Sequence, residues 1–147
     1  MPDKRVGSEL CVFFNFKKKS NKRMFDESVI RAVWEKAIAT EGYEESLYRQ
    51  DAAGAWIAFN KYGDRDSVLG WEIDHVLPTS KGGGDNIDNL RPLHWQNNDS
   101  KGDDYPVYYT AVLAEGGKNI ARVEKRTVNK YVQSKIKHLY GIESKLF

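Results

Sequence analysis

Residues 71–102 combine side chains that could hydrolyse a phosphodiester bond. An Asp-His pair, Asp74 and His75, is followed by Asn89 fourteen residues after the histidine and by Asn98 nine residues later. A histidine accepts a proton near neutral pH, so His75 could activate a water molecule. The Asp74 carboxylate and the Asn98 carbonyl are hard oxygen ligands of the kind that Mg²⁺ or Mn²⁺ prefers. Lys101 lies one helical turn after Asn98 and could neutralise phosphate beside such a metal.

Three runs in this stretch resemble the HNH family of ββα-metal nucleases, in its His-Asn-Asn variant. They read Glu-Ile-Asp-His-Val-Leu-Pro at 72–78, Lys-Gly-Gly-Gly-Asp-Asn-Ile-Asp-Asn-Leu-Arg-Pro-Leu at 81–93, and Asn-Asp-Ser-Lys-Gly-Asp at 98–103. The resemblance implies a metal-dependent endonuclease whose products carry 5′-phosphate and 3′-hydroxyl ends.

The resemblance also implies a role for each of the five residues. His75 corresponds to the general base, and Asp74 and Asn98 fall on the metal-ligand positions. Asn89 matches the middle asparagine, which bridges the loop and orients the histidine. Lys101 matches a cation often found at its position.

Neighbouring residues leave alternatives open. Asn86 and Asn97 would replace the key asparagines if the register slipped, although the fourteen- and nine-residue spacings favour Asn89 and Asn98. His94 could be a second catalytic group, but we expect a structural or peripheral role. Glu72 could face the substrate, but we expect it to be exposed to solvent.

Many HNH proteins bind a structural zinc ion through Cys-x-x-Cys pairs. The corresponding positions here are His94 and Asn97 near the second strand, and residues 51–54 read Asp-Ala-Ala-Gly. We therefore expect no structural zinc, and we expect packing by three tryptophans to take its place: Trp56, Trp71 and Trp95.

Composition indicates one folded domain. The 147 residues are 40% hydrophobic and 12% aromatic, which is typical of a globular protein. The single cysteine, Cys11, excludes an internal disulfide and a thiolate zinc cluster. No apolar run approaches the roughly 20 residues of a membrane span, and no signal-peptide pattern follows the polar Met-Pro-Asp-Lys-Arg start, so the expected location is the cytoplasm.

Positive charge is concentrated towards both ends of the chain, although the net charge is only +2. In residues 116–147, eight basic residues outnumber two acidic ones. Such ends suit a polyanionic partner, with nucleic acid (DNA in particular) as the expected one, but an ordinary solvated surface is the alternative. The candidate contacts are Lys17, Lys18, Lys19, Lys22, Arg23, Lys125, Arg126 and Lys130.

The chain is predicted to form one α+β domain over residues 1–147, built around a ββα-metal finger. The finger core spans about 69–104. A basic arm and helix precede it at 10–40, and a β-hairpin and basic helix follow at 106–141. The predicted elements are strands at 10–16, 55–59, 69–77 and 90–95, helices from Asp26 to about 39 and over 97–104, a hairpin pairing 107–113 with 120–123, and a helix over 127–140.

An endonuclease is the leading interpretation of the sequence. One alternative is a nucleic-acid-binding module that keeps the finger without catalysis. Another is a nuclease subunit of a phage-defence or mobile-element system that a protein partner delivers to its target, since no sequence-reading motif is evident. The sequence does not indicate an oligomeric state.

Overall fold

The computed structural model describes residues 24–141. The predicted strand at 10–16, Cys11 and the basic residues from Lys17 to Arg23 lie outside this range. The elements in chain order are α1 (Glu27–Trp34), β1 (Tyr48–Gln50), β2 (Trp56–Ala58), β3 (Trp71–His75), β4 (Leu90–His94), α2 (Trp95–Lys101), β5 (Val107–Tyr109), β6 (Val112–Glu115), β7 (Lys118–Ala121), β8 (Lys125–Thr127) and α3 (Lys130–Tyr140).

The central segment forms an antiparallel strand pair followed at once by a helix. β3 and β4 pair from Trp71 opposite His94 to His75 opposite Leu90. α2 begins at the next residue, and the His94 ring caps it by accepting the backbone N–H of Gln96 at Nδ1 (3.0 Å). These strands and this helix lie close to the positions that the sequence predicted.

The first helix is shorter than predicted. α1 ends at Trp34, although apolar spacing suggested a helix to about residue 39. The backbone of Ile38 instead bonds to Gln50 in both directions, at 2.7 and 2.9 Å. This bridge to the end of β1 takes the chain out of the helix, with Ala37 buried and Ile38 54% exposed.

The predicted hairpin after Pro106 is present but carries a bulge. β6 pairs with β7 around Gly116 and Gly117, and β5 pairs with β8. Two residues, 110 and 111, separate β5 from β6, whereas three residues, 122–124, separate β7 from β8. Such an extra residue is a β-bulge, and it divides the predicted strand 107–113 into β5 and β6.

The last helix begins later than predicted. Thr127 belongs to β8, where it pairs with Val107. The side chain of Asn129 accepts the backbone N–H of Val132 at 2.8 Å and so caps α3. Gly141, with φ of 69°, ends the helix as the sequence indicated.

Hydrophobic clusters hold the β3–β4 pair in place. One cluster packs Val33 and Trp34 of α1 against Trp71 and Leu90. Another joins residues just after β3, in β4 and in β5 to α3: Val76, Leu77, Leu93, Tyr108 and Ile136. The fold is α+β. In the described part of the chain, no helix has the length and apolar character needed to cross a membrane.

Candidate active site

Asp74 is a buried carboxylate held by two cations. Its side chain is 5% exposed. Oδ2 accepts Nε of Arg91 at 2.9 Å, and Oδ1 lies 3.3 Å from Nζ of Lys101. Each carboxylate oxygen has two lone pairs, so neither contact exhausts the capacity of Asp74 to accept another ligand.

Lys101 lies beneath the site. Its side chain has no exposed surface, and the ammonium also donates to the backbone carbonyl of His75 at 3.2 Å. Burial lowers the pKa of Lys101; the Asp74 carboxylate opposes that shift and the Arg91 guanidinium adds to it. In this structure the Lys101 ammonium contacts the Asp74 carboxylate and the His75 carbonyl of β3. A contact between Lys101 and phosphate stays a prediction.

The expectation that Glu72 is exposed was wrong. Its side chain is buried and pairs with Arg65, with Nε to Oε2 at 2.7 Å and Nη2 to Oε1 at 3.1 Å. A buried carboxylate needs such a partner to offset its lost hydration. Strand alternation places Glu72 on the same face of β3 as Asp74, towards α2.

Asn98 meets this face of β3. Its side-chain amide donates to Oε1 of Glu72 at 2.9 Å. Because the amide nitrogen is committed to Glu72, the carbonyl oxygen Oδ1 faces elsewhere. That oxygen has no hydrogen-bond partner within residues 24–141 and can accept a ligand.

The adjacent Asn97 is buried, and its side chain is hydrogen-bonded to neighbouring segments. Its side chain is fully buried, and Oδ1 accepts the backbone N–H groups of Ala111 and Val112 at 2.7 and 2.9 Å. Nδ2 donates to Asp51 and to the carbonyl of Val112. With every polar group of Asn97 engaged, the structure favours Asn98 over Asn97 as the candidate ligand.

Asn89 bridges the two ends of the loop between β3 and β4. Its Oδ1 accepts the backbone N–H of Leu77 at 2.8 Å, while Nδ2 donates to the carbonyls of Leu77 and Gly84 at 3.1 and 2.9 Å. Asn86, the alternative in a slipped register, is exposed and caps the short 3₁₀ turn Ile87–Asn89. Asn89 therefore bridges the loop, and its part in catalysis stays a prediction.

The same loop needs a glycine at position 83. A Cβ there would lie 1.8 Å from the carbonyl oxygen of Leu77 and 2.9 Å from the Asn89 side chain. Both atoms are fixed by the bridge just described, so no side chain fits at Gly83 without moving the loop.

His75 is the last residue of β3 and its ring is 18% exposed. Its Nε2 lies 2.8 Å from Oδ1 of Asp85, a residue of the Gly-rich loop. The family resemblance implied that Asn89 orients the histidine, but the side chain of Asn89 bonds to Leu77 and Gly84 and not to the His75 ring. The loop sequence Gly-Asp-Asn signalled only a turn, so the sequence had no means of assigning Asp85 to His75.

The positions at which zinc-bearing relatives have cysteines are joined by hydrogen bonds. Oδ1 of the buried Asp51 accepts the backbone N–H groups of Ala53, Gly54 and Ala55 at 2.8 to 3.0 Å. Oδ2 accepts from the backbone of His94 at 2.8 Å and from the side chain of Asn97 at 3.2 Å. Asp51 thus connects residues 53–55 to His94 and Asn97, a role that the sequence did not reveal.

His94 is part of this buried structure. Its Nε2 lies 2.8 Å from the carbonyl oxygen of Val68, and Nδ1 accepts from Gln96. Burial lowers the pKa of His94, opposed by the Val68 carbonyl and by the carboxylates of Asp51 and Glu72. Both ring nitrogens are engaged in hydrogen bonds, which agrees with the structural role expected for His94.

The tryptophans expected to replace zinc contribute in different ways. Trp71 is fully buried against Trp34, with ring centroids 5.5 Å apart. The indole N–H groups of Trp56 and Trp95 donate to the carbonyls of Gly116 and Ser67. These contacts link β3 to α1, β2 to the turn between β6 and β7, and α2 to the loop before β3.

Some of the predicted nucleic-acid contacts can be placed. Lys125 and Lys130 are exposed. Arg126 is partly buried, where it donates to the carbonyl of Ala53 and pairs with Glu124 at 3.0 Å. The remaining candidates, from Lys17 to Arg23, lie outside the described residues.

Asp74 of β3 and Asn98 of α2 each bring one oxygen donor to the place where β3 and α2 contact each other, Asp74 beside Lys101 and Asn98 beside Glu72. Among residues 24–141, no group of three or more His, Cys, Asp and Glu side chains is placed to hold a metal ion. The donor chemistry fits Mg²⁺, which commonly takes one or two protein ligands and completes its shell with water and phosphate.

Comparison with protein families identifies this segment. Residues 62–104 match the family described as HNH endonuclease. The chain carries an HNH domain. The match covers less than a third of the 147 residues and spans β3, β4 and α2, and it indicates a nuclease-type function that acts on nucleic acid. No curated protein and no solved structure matched the chain.

Proposed function

We propose that this protein is a metal-dependent HNH endonuclease that hydrolyses phosphodiester bonds in DNA. The observation that carries the proposal is the meeting of β3 and α2. β3 supplies a partly exposed His75 and a buried Asp74, and α2 supplies Asn98 with an available carbonyl oxygen. The HNH match to the same segment supports a nuclease.

In the proposed reaction His75 takes a proton from water. The water oxygen forms a bond to phosphorus, and the bond between phosphorus and the 3′ oxygen breaks. The leaving oxygen takes up a proton from solvent, which leaves 5′-phosphate and 3′-hydroxyl ends. General-base catalysis of this kind contributes about 10²–10⁴-fold to rate.

Asp74 and Asn98 would hold the divalent ion. When bound, Mg²⁺ or Mn²⁺ supplies positive charge that stabilises the phosphate and the leaving oxygen in the transition state. Arg91 and Lys101 hold the Asp74 carboxylate in place, and Glu72 holds the Asn98 amide. The protein itself therefore holds both donor side chains in position.

Cleavage of supercoiled plasmid DNA, followed on a gel, tests the proposal. Wild-type protein should cleave with Mg²⁺ or Mn²⁺, stop with excess EDTA, and recover when the metal is restored. Asp74→Ala and Asn98→Ala should each abolish cleavage at ordinary Mg²⁺ concentrations. Activity that survives exhaustive chelation would contradict the metal-dependent reaction.

Substrate class needs a parallel assay. Single-stranded DNA and RNA of the same sequence, presented with the plasmid under identical conditions, compare the three polymers directly. Faster cleavage of RNA than of either DNA would overturn the choice of DNA while leaving the phosphodiester chemistry in place. Binding without cleavage in every metal tested would instead favour a non-catalytic nucleic-acid-binding module.

A further inference from the structure

Asp85 contacts the reactive ring of the proposed site. Its Oδ1 lies 2.8 Å from Nε2 of His75. A carboxylate can only accept a hydrogen bond, so the proton between the two groups belongs to Nε2 of a neutral His75 ring. The lone pair is then on Nδ1, the nitrogen that Asp85 does not touch.

We infer that Asp85 is a positioning residue, which turns the His75 ring so that Nδ1 faces the attacking water. The inference rests on the proposed function and deepens it. A base must lie within hydrogen-bond reach of the proton that it removes, so ring orientation decides whether His75 can act. In the structure, the contact with Asp85 of the loop sets the orientation of the His75 ring.

The loop holds Asp85 from both sides. On one side, the backbone N–H of Gly84 donates to the hydroxyl of Tyr140 in α3 at 3.1 Å, and the Gly84 carbonyl accepts from Asn89. On the other side, the carbonyl of Asn86 accepts the backbone N–H of Asn89 at 2.7 Å. Asn89 and α3 therefore act on His75 through the residue that they fix, Asp85.

The contact is partly open to solvent and should contribute little to stability. The side chains of His75 and Asp85 are 18% and 38% exposed, and contacts of this kind contribute about 0–1 kcal/mol. Variants at position 85 should therefore fold normally. Any large effect of substitution will lie in turnover.

Asp88 offers a matched control. It lies three residues further along the same loop, has a 43% exposed carboxylate, and pairs with Lys135 at 3.5 Å. Removing either aspartate removes one negative charge near a polyanionic substrate. A purely electrostatic role for Asp85 would make Asp85→Ala and Asp88→Ala behave alike, with tighter substrate binding in both.

The kinetic test compares wild type, Asp85→Ala, Asp85→Glu and Asp88→Ala at saturating Mg²⁺. Asp85→Ala should lower kcat about tenfold or more with little change in KM, but by less than loss of the base itself. Asp85→Glu, which keeps a carboxylate, should restore part of the loss, and Asp88→Ala should keep the wild-type kcat. Equal kcat values for Asp85→Ala and Asp88→Ala would overturn the inference.

A spectroscopic test needs no turnover. In proton NMR at pH about 8, the Nε2–H of His75 should be protected from water in the wild type and should lose protection in Asp85→Ala alone. The buried ring of His94 should give a protected proton in every variant, whereas the exposed ring of His138 should give none. A protected His75 proton that persists in Asp85→Ala would also overturn the inference.

Different results would refute the proposed function and the positioning role of Asp85. A wild-type chain that cleaves nothing with Mg²⁺ or Mn²⁺ would refute the proposed function and the role of Asp85 with it. An active wild type whose Asp85→Ala variant is equally active would refute only the role of Asp85.

Discussion

The side-chain amide of Asn98 donates a hydrogen bond to Oε1 of Glu72 at 2.9 Å. Glu72 is itself clamped by Arg65, which reaches across to Asp99 in α2 as well, at 2.8 Å. One buried carboxylate therefore decides which way the Asn98 amide points. In the proposed site this contact presents the carbonyl oxygen of Asn98 as a ligand.

Glu72→Gln should weaken metal binding. A glutamine can present either an oxygen or an NH₂ group to Asn98, so the amide would lose its fixed direction. Loss of a residue that supports a metal ligand typically costs 10–100-fold in affinity, and titration calorimetry with Mn²⁺ would measure it. Asp99→Asn is the matched control, because the Asp99 carboxylate also pairs with Arg65 but is not the partner of the Asn98 amide. Equal affinities in the two variants would count against the role of Glu72.

Adjacent asparagines should give opposite results. Asn97→Ala leaves the backbone N–H groups of Ala111 and Val112 without the acceptor that Asn97 supplies, and it removes one of the two hydrogen bonds to Oδ2 of Asp51. The free energy of unfolding should therefore fall by about 2–4 kcal/mol. Asn98→Ala should cost less than about 1 kcal/mol and remove metal binding. Urea unfolding and Mn²⁺ titration of both variants would check this, and a stable Asn97→Ala protein that no longer binds metal would assign the ligand to Asn97.

The sequence predicted the strands and the helix that carry the candidate site, and the contacts that it did not predict have physical causes. Spacing placed β3, β4 and α2, because apolar periodicity and the Gly-rich loop are local signals. The burial of Glu72 depends on Arg65 from the preceding loop, and the partner of His75 depends on how the loop to Asp85 turns. Asp51 reaches His94 from more than forty residues away. Such contacts are set by tertiary packing, on which periodicity carries no information.

Burial of His94 predicts a dependence of stability on pH. Because burial lowers the pKa of His94 in the folded state, the unfolded chain binds a proton more readily. The stability from neutral His94 is fully present above pH about 6.5 and is lost as the pH falls below it, by at most about 1.4 kcal/mol per pH unit. Urea unfolding between pH 7.5 and 5.5 should show a smaller decline for His94→Gln than for wild type, and parallel declines would contradict this.

The basic residues predict a salt-dependent affinity for DNA. Neutralising Lys17, Lys18 and Lys19 together, or Lys125 and Lys130 together, should weaken binding to all sequences alike. The slope of log affinity against log salt should shrink by about 0.9 for each DNA phosphate that the variant no longer neutralises. Fluorescence anisotropy with a labelled duplex at several salt concentrations measures the slope. Unchanged slopes in both variants would show that these lysines only contribute to solubility.

The most direct test of the proposed reaction is the rate of plasmid cleavage by His75→Ala at saturating Mg²⁺, measured beside its Mn²⁺ affinity and melting temperature. His75 ends β3 with its ring partly exposed, and its backbone rather than its ring contacts Lys101. Cleavage should therefore fall about 10²–10⁴-fold while the fold and metal affinity stay unchanged. Turnover equal to wild type would contradict the assignment of His75 as the general base.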